Sequence, residues 1–76
     1  MFEWIAAKRE TGEALDELID RVNDPRVTLA DVLEMSDIEE ELADVGGLIA
    51  LVAPGRTMNE LSGINGRIAA IAERLA

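Results

Sequence analysis

The stretch VTLADVLEMSDIEEELADVGGLIALVA, residues 27–53, decides the fold. Met35, Ile38, Leu42, Val45, Ile49 and Val52 recur at steps of three and four, the spacing of a helix that buries one stripe in a bundle or coiled-coil seam. Asp37, Glu40, Glu41 and Asp44 fall on the other side of the same helix. The stretch holds seven acids and no base. One element thus presents a buried face and a strongly negative exposed one. The acids stop at Asp44, and beyond Val45 the residues are apolar or small nearly all round. A partner is therefore expected at the acidic half and a second copy of the chain at the apolar half.

The start of this helix is well marked. Thr28 is a good N-cap, Asp31 stands three residues on, and Val27 and Val32 occupy the two positions of a hydrophobic staple. Ser36 followed by Glu39 offers a second cap. The segment is thus either one helix over residues 29–53 or a short helix 29–35 turning into a longer one from Asp37. The apolar repeat passes Ser36 without a phase error, which favours the single helix.

Outward from this stretch lie two more helical patterns. Leu15, Leu18, Ile19 and Val22 form a stripe that predicts a helix over about 2–22, with a weak point at Thr11-Gly12 and an end at Asn23-Asp24-Pro25. Pro54-Gly55 stops the central helix, and Thr57 with Glu60 is a capping box that opens a third, over about 58–75. Leu61, Ile64, Ile68, Ile71 and Leu75 form its seam. Short connections make successive helices antiparallel neighbours. The expected architecture is all-α: a single domain, residues 1–76, built as a three-helix unit and paired into a homodimeric helical bundle.

Small residues sharpen the dimer expectation. Ala43, Gly46, Ala50 and Ala53 line one side of the central helix, and Gly63, Gly66 and Ala70 line a side of the last one. Such strips let helix backbones approach closely, so tight crossings are expected between these two helices. The expected oligomer interface is Val45, Leu48, Ile49, Leu51, Val52, Ile64, Ile68 and Ile71. Asn65, at the edge of the last seam, could fix register or simply face water.

Size and charge constrain the partners. A chain of 76 residues buries only about 60% of its unfolded surface, so small scaffolds lean on disulfides, metals or self-association. Here there is no Cys and no His, which removes disulfides and the commonest transition-metal ligands. The formal net charge is −9: −3 over residues 1–26, −7 over 27–53 and +1 over 54–76. Such a chain is repelled by nucleic acid and anionic membranes and suits a protein with a basic surface. Glu3, Lys8, Arg9 and Glu10 interrupt any secretory leader pattern, and the longest apolar run is about half of what a bilayer needs. A soluble, cytoplasmic protein is expected.

Catalytic chemistry finds few groups. Without His, Cys or Tyr there are no triads, thiols or tyrosyl acids, so no catalytic, cofactor or metal residues are assigned. The i, i+4 pairs Glu40/Asp44 and Asp16/Asp20 could hold a divalent cation only loosely. Thr28 to Ser36 followed by a helix looks superficially like a helix-turn-helix. Its second helix would carry Asp37, Glu39, Glu40 and Glu41 into a DNA groove, where Lys and Arg are needed. Phe2, Trp4 and Ile5 fit a core or a partner's groove better than a membrane anchor, given the acidity around them. The expected function is that of a non-catalytic protein–protein interaction module, a homo-oligomeric adaptor or assembly subunit. The alternative is an inhibitor of phage type, like some anti-CRISPR proteins in charge and size alone, whose acidic ridge fills a basic nucleic-acid-binding groove.

Overall fold

A computed structural model describes residues 2–76. The chain forms four helices: α1 (Glu3–Ile19), α2 (Leu29–Asp44), α3 (Leu48–Val52) and α4 (Pro54–Arg74). No strand occurs among the described residues. No helix among the described residues is long and apolar enough to cross a membrane.

The start of α2 follows from its sequence. Thr28 Oγ1 accepts the Asp31 N–H at 3.2 Å, and Asp31 Oδ2 accepts the Thr28 N–H at 3.0 Å. Two amide donors that the first helical turn leaves orphaned are thereby satisfied. Ser36 lies inside an unbroken helix, so no turn separates two helices there and the helix-turn-helix likeness disappears.

The break comes instead at Gly46-Gly47, where the expected helix over 29–53 divides into α2 and α3. Both glycines have positive φ, +119° and +68°, a region that side-chain-bearing residues avoid. A Cβ on Gly46 would also stand 2.7 Å from Cζ3 of Trp4. The aromatic ring occupies the space that a side chain at this corner would need. Lys8 then satisfies the helix end, its Nζ donating to the Val45 carbonyl at 2.7 Å. The apolar repeat continues in number across this corner but not in space. Met35, Ile38, Leu42 and Val45 are buried, while Ile49 and Val52 are exposed.

The other helix ends also differ from expectation. α1 stops at Ile19, and turns carry the chain through residues 20–26. α4 begins at Pro54, four residues before the Thr57/Glu60 box predicts. Pro is suited to the first helical position, where its fixed φ fits and its missing N–H is not needed. Ala53 both ends α3 and precedes α4, so Pro54 stops one helix by starting another. Thr57 is consequently interior and buried, its hydroxyl turned back on the Ala53 carbonyl.

The helices pack into a rod of 43 × 19 × 15 Å. α2 runs antiparallel to α1, placing Lys8 at the end of α2 and Ile19 and Val22 beside Val32 and Met35. α4 runs antiparallel to α2 and alongside α1 in the same sense, with Trp4 near Met58 at one end and Leu18 near Ala72 at the other. The core joins Leu15 and Leu18 to Met35, Ile38, Leu42 and Val45, and to Leu61, Ile64, Ile68, Ile71 and Leu75. The whole predicted seam of the last helix is thus spent inside one protomer. The small-residue strip of α4 is not a crossing point: nothing lies within 4 Å of a Cβ built on Gly63 or Gly66, and both are exposed. α3 sits at the end of the rod where α1 and α4 begin.

Candidate interaction surfaces

Most of the positive charge is consumed within the fold. Arg21 and Arg26, from the α1–α2 connection, both donate to the Leu75 carbonyl at the end of α4. Lys8 does the same for α2, donating to Val45 and, at 3.5 Å, to Ala43. A helix C-terminus exposes unpaired carbonyls and carries partial negative charge, so bases are favourable there. Arg74 pairs with Asp31, and Arg67 spans from α4 to Glu34 at 2.6 Å and to Glu41 on α2.

These contacts set the charge states. Asp31 is held below the ordinary carboxylate range, chiefly by the Thr28 N–H it accepts and then by Arg74. Asp24 is lowered to about 2 by its side-chain hydrogen bonds from Arg26, one of them 2.8 Å long. Arg67 is raised further above its already high value by Glu34 and Glu41.

The acidic ridge is therefore divided. Glu41 is tied to Arg67 and turns toward α4. Asp37, Glu40 and Asp44 are exposed, and none has an ion-pair partner among the described residues. Taking about 100° per residue, these three and two leucines, Leu29 and Leu33, fall within roughly 80° of arc. That arc lies opposite Met35, Ile38 and Leu42, which face the core. Leu29 is 74% exposed and Leu33 59%. The outer face of α2 thus reads apolar over its first two turns and acidic over its last two. The three-four seam of residues 35–52 gives no sign of the two leucines, which lie on the opposite side of the helix. The same projection that placed Glu40 and Asp44 outward places Leu29 and Leu33 there.

A second open surface lies at α3. Leu48 is 80% exposed, Val52 82% and Leu51 63%, with Ile49 about half exposed. Ala50 is the residue of α3 that enters the interior. Phe2 and Ile5 are also exposed, within one turn of the Trp4 ring that covers Gly46. The indole N–H of Trp4 is itself buried without an acceptor among the described residues.

The predicted oligomer residues consequently separate. Leu48, Ile49, Leu51 and Val52 lie together on the outside. Val45, Ile64, Ile68 and Ile71 are at most 5% exposed and form the protomer core, so a second copy has no access to them. Asn65 is exposed, in a shallow groove with Ala14, Leu18, Arg21 and Ala69. No three metal-ligating side chains converge among the described residues.

No family model, no curated protein and no solved structure matches this chain.

Proposed function

We propose that the protein is a small, non-catalytic adaptor that works through its helix surfaces and engages a basic protein along the outer face of α2. The observation that carries this reading is the alignment of exposed Leu29 and Leu33 with exposed Asp37, Glu40 and Asp44 on one helix face. Apolar side chains open to water give a partner something to bury, and the adjoining carboxylates select a cationic one. The absence of His, Cys and Tyr from the sequence supports a binding role over catalysis.

The test is capture from a lysate by the immobilised protein, run beside Leu33→Glu and the pair Glu40→Lys/Asp44→Lys. Proteins retained by the wild type should be basic, should elute as salt rises, and should be lost with both variants. If both variants hold the same proteins as the wild type, the α2 face is not the binding surface.

The second reading is an inhibitor that lays the same face into a basic nucleic-acid-binding groove. The three carboxylates without ion-pair partners support it. It requires that a captured protein bind nucleic acid and that the two ligands compete.

A further inference from the structure

We infer that α3 is a self-docking element: a second copy of this chain packs its own α3 against Leu48, Leu51 and Val52, with Ile49, Phe2 and Ile5 at the margin. The inference goes beyond the adaptor reading and names a partner for a different surface of the same molecule.

The first argument is area. Taking ~100 Å² of apolar surface per large side chain, the six residues at their observed exposures leave roughly 400 Å² open. A standard interface uses about 800 Å² per partner, a little over half of it apolar. The patch therefore matches the apolar share of one side of such an interface. A patch of this size falls within the range of the largest apolar patch on a typical soluble protein, about 300–600 Å², which is often functional.

The second argument is charge. Copies of a chain with net charge −9 repel one another wherever acids face acids. The outer face of α2 cannot pair with itself for this reason, since its leucines adjoin Asp37, Glu40 and Asp44. Residues 45–55 carry no charge at all. The nearest charges are Asp44 and Arg56 along the chain, and Glu3, which stands between Phe2 and Ile5 and beside Pro54 and Gly55. With one base among three flanking charges and none on α3 itself, this end is where two copies meet with the least electrostatic penalty.

The third argument is shape. Leu48, Leu51 and Val52 stand at i, i+3 and i+4, which places them on one side of a short helix. A patch of this kind is self-complementary about a two-fold axis, with each α3 lying across the other. An isologous contact of that sort closes at two copies. Ala50, on the buried side, anchors α3 to the protomer.

Sedimentation equilibrium of the full chain over a micromolar to ~200 µM range tests the proposal. The mass is expected to rise from 8.2 kDa to twice that value and to stop there. The variants Leu48→Glu/Val52→Glu and Leu48→Ser/Val52→Ser change only exposed side chains, so circular dichroism should show unaltered helix content. Both should remain at the single-chain mass. The serine pair separates lost apolar contact from introduced repulsion. A wild type that stays monomeric at the highest concentration overturns the proposal, as does a dimer that survives the serine pair or a mass that keeps growing. The outcome is distinguishable from failure of the adaptor reading. A monomer whose capture still depends on Leu33 overturns self-docking alone, and a dimer whose capture ignores Leu33 overturns the α2 reading alone.

Discussion

Cζ3 of Trp4 lies 2.7 Å from the position a Cβ on Gly46 would take, and Gly46 has φ +119°. The corner between α2 and α3 therefore tolerates no side chain for two independent reasons, contact and backbone conformation. Gly46→Ala is expected to lower stability by about 2–4 kcal/mol, combining left-handed strain with a displaced ring. A Cβ on Gly47 meets nothing within 4 Å among the described residues, but φ +68° with ψ −145° is a conformation open essentially to glycine alone, so Gly47→Ala should itself cost about 1–3 kcal/mol. Urea melts followed by the fluorescence of Trp4, the sole tryptophan, measure both. Gly46→Ala should also shift the folded-state emission of Trp4 while Gly47→Ala leaves it in place, and an unshifted spectrum for Gly46→Ala would show that the ring does not seat on Gly46.

Glycines on α4 should behave in the opposite sense. Gly63 and Gly66 sit inside a helix with open space around them. Gly in a helix interior costs about 0.5–1 kcal/mol relative to Ala. Gly63→Ala and Gly66→Ala are each expected to raise the urea midpoint by a corresponding amount. A drop would mean that another helix approaches closely there.

Arg67 bridges Glu34 and Glu41, and its side chain remains 35% exposed. Partly exposed ion pairs contribute up to about 1 kcal/mol each and are screened by salt. Arg67→Met is thus expected to lose about 0.5–1.5 kcal/mol at low ionic strength. The gap from wild type should narrow in 0.5 M NaCl, a condition chosen at roughly a 4–5 Å screening length. A gap that salt leaves unchanged would assign the loss to packing of the arginine stem.

Asp24 and Asp31 give a pH dependence of fixed sign. Both are held below their unfolded values, so the unfolded chain takes up protons first as pH falls. Their stabilisation is complete above the ordinary carboxylate range and disappears as pH drops toward about 2, where Asp24 titrates. The melting-temperature gap between wild type and Asp24→Asn, or Asp31→Asn, should therefore be constant from pH 7 to about 5 and close below about 4. Comparison by difference cancels the general relief of repulsion among the other acids. A gap that widens on acidification contradicts the assignment.

Much of the fold is legible in local chemistry. The Thr28/Asp31 box marks the start of α2, and the seam Leu61 to Leu75 supplies one wall of the core, because each depends on residues within a few turns. The corner at Gly46-Gly47 is less so. Its local signal, two adjacent glycines, competes with an apolar repeat that keeps step through Ile49 and Val52. The ring that packs on the corner comes from Trp4, far away in the chain. The interface residues fail for a related reason. A stripe at three-four spacing is the same whether it closes a protomer or joins two copies, so Ile64, Ile68 and Ile71 carry no sign of which they do. Leu48 and Val52 become visible as surface only once the corner has turned α3 away from the axis of α2.

Lys8 grips the carbonyl of Val45, and α4 is anchored from Leu61 onward in the core. Beyond Gly46, on which Trp4 packs, residues 47–53 are therefore suspended between two fixed points, with Ala50 as the buried contact of α3. Such a segment can open while the remainder stays folded, forming a low-stability cooperative unit of its own. Its amide protons should exchange with deuterated solvent well before those of Ile38 or Ile68, through excursions that never reach the global barrier.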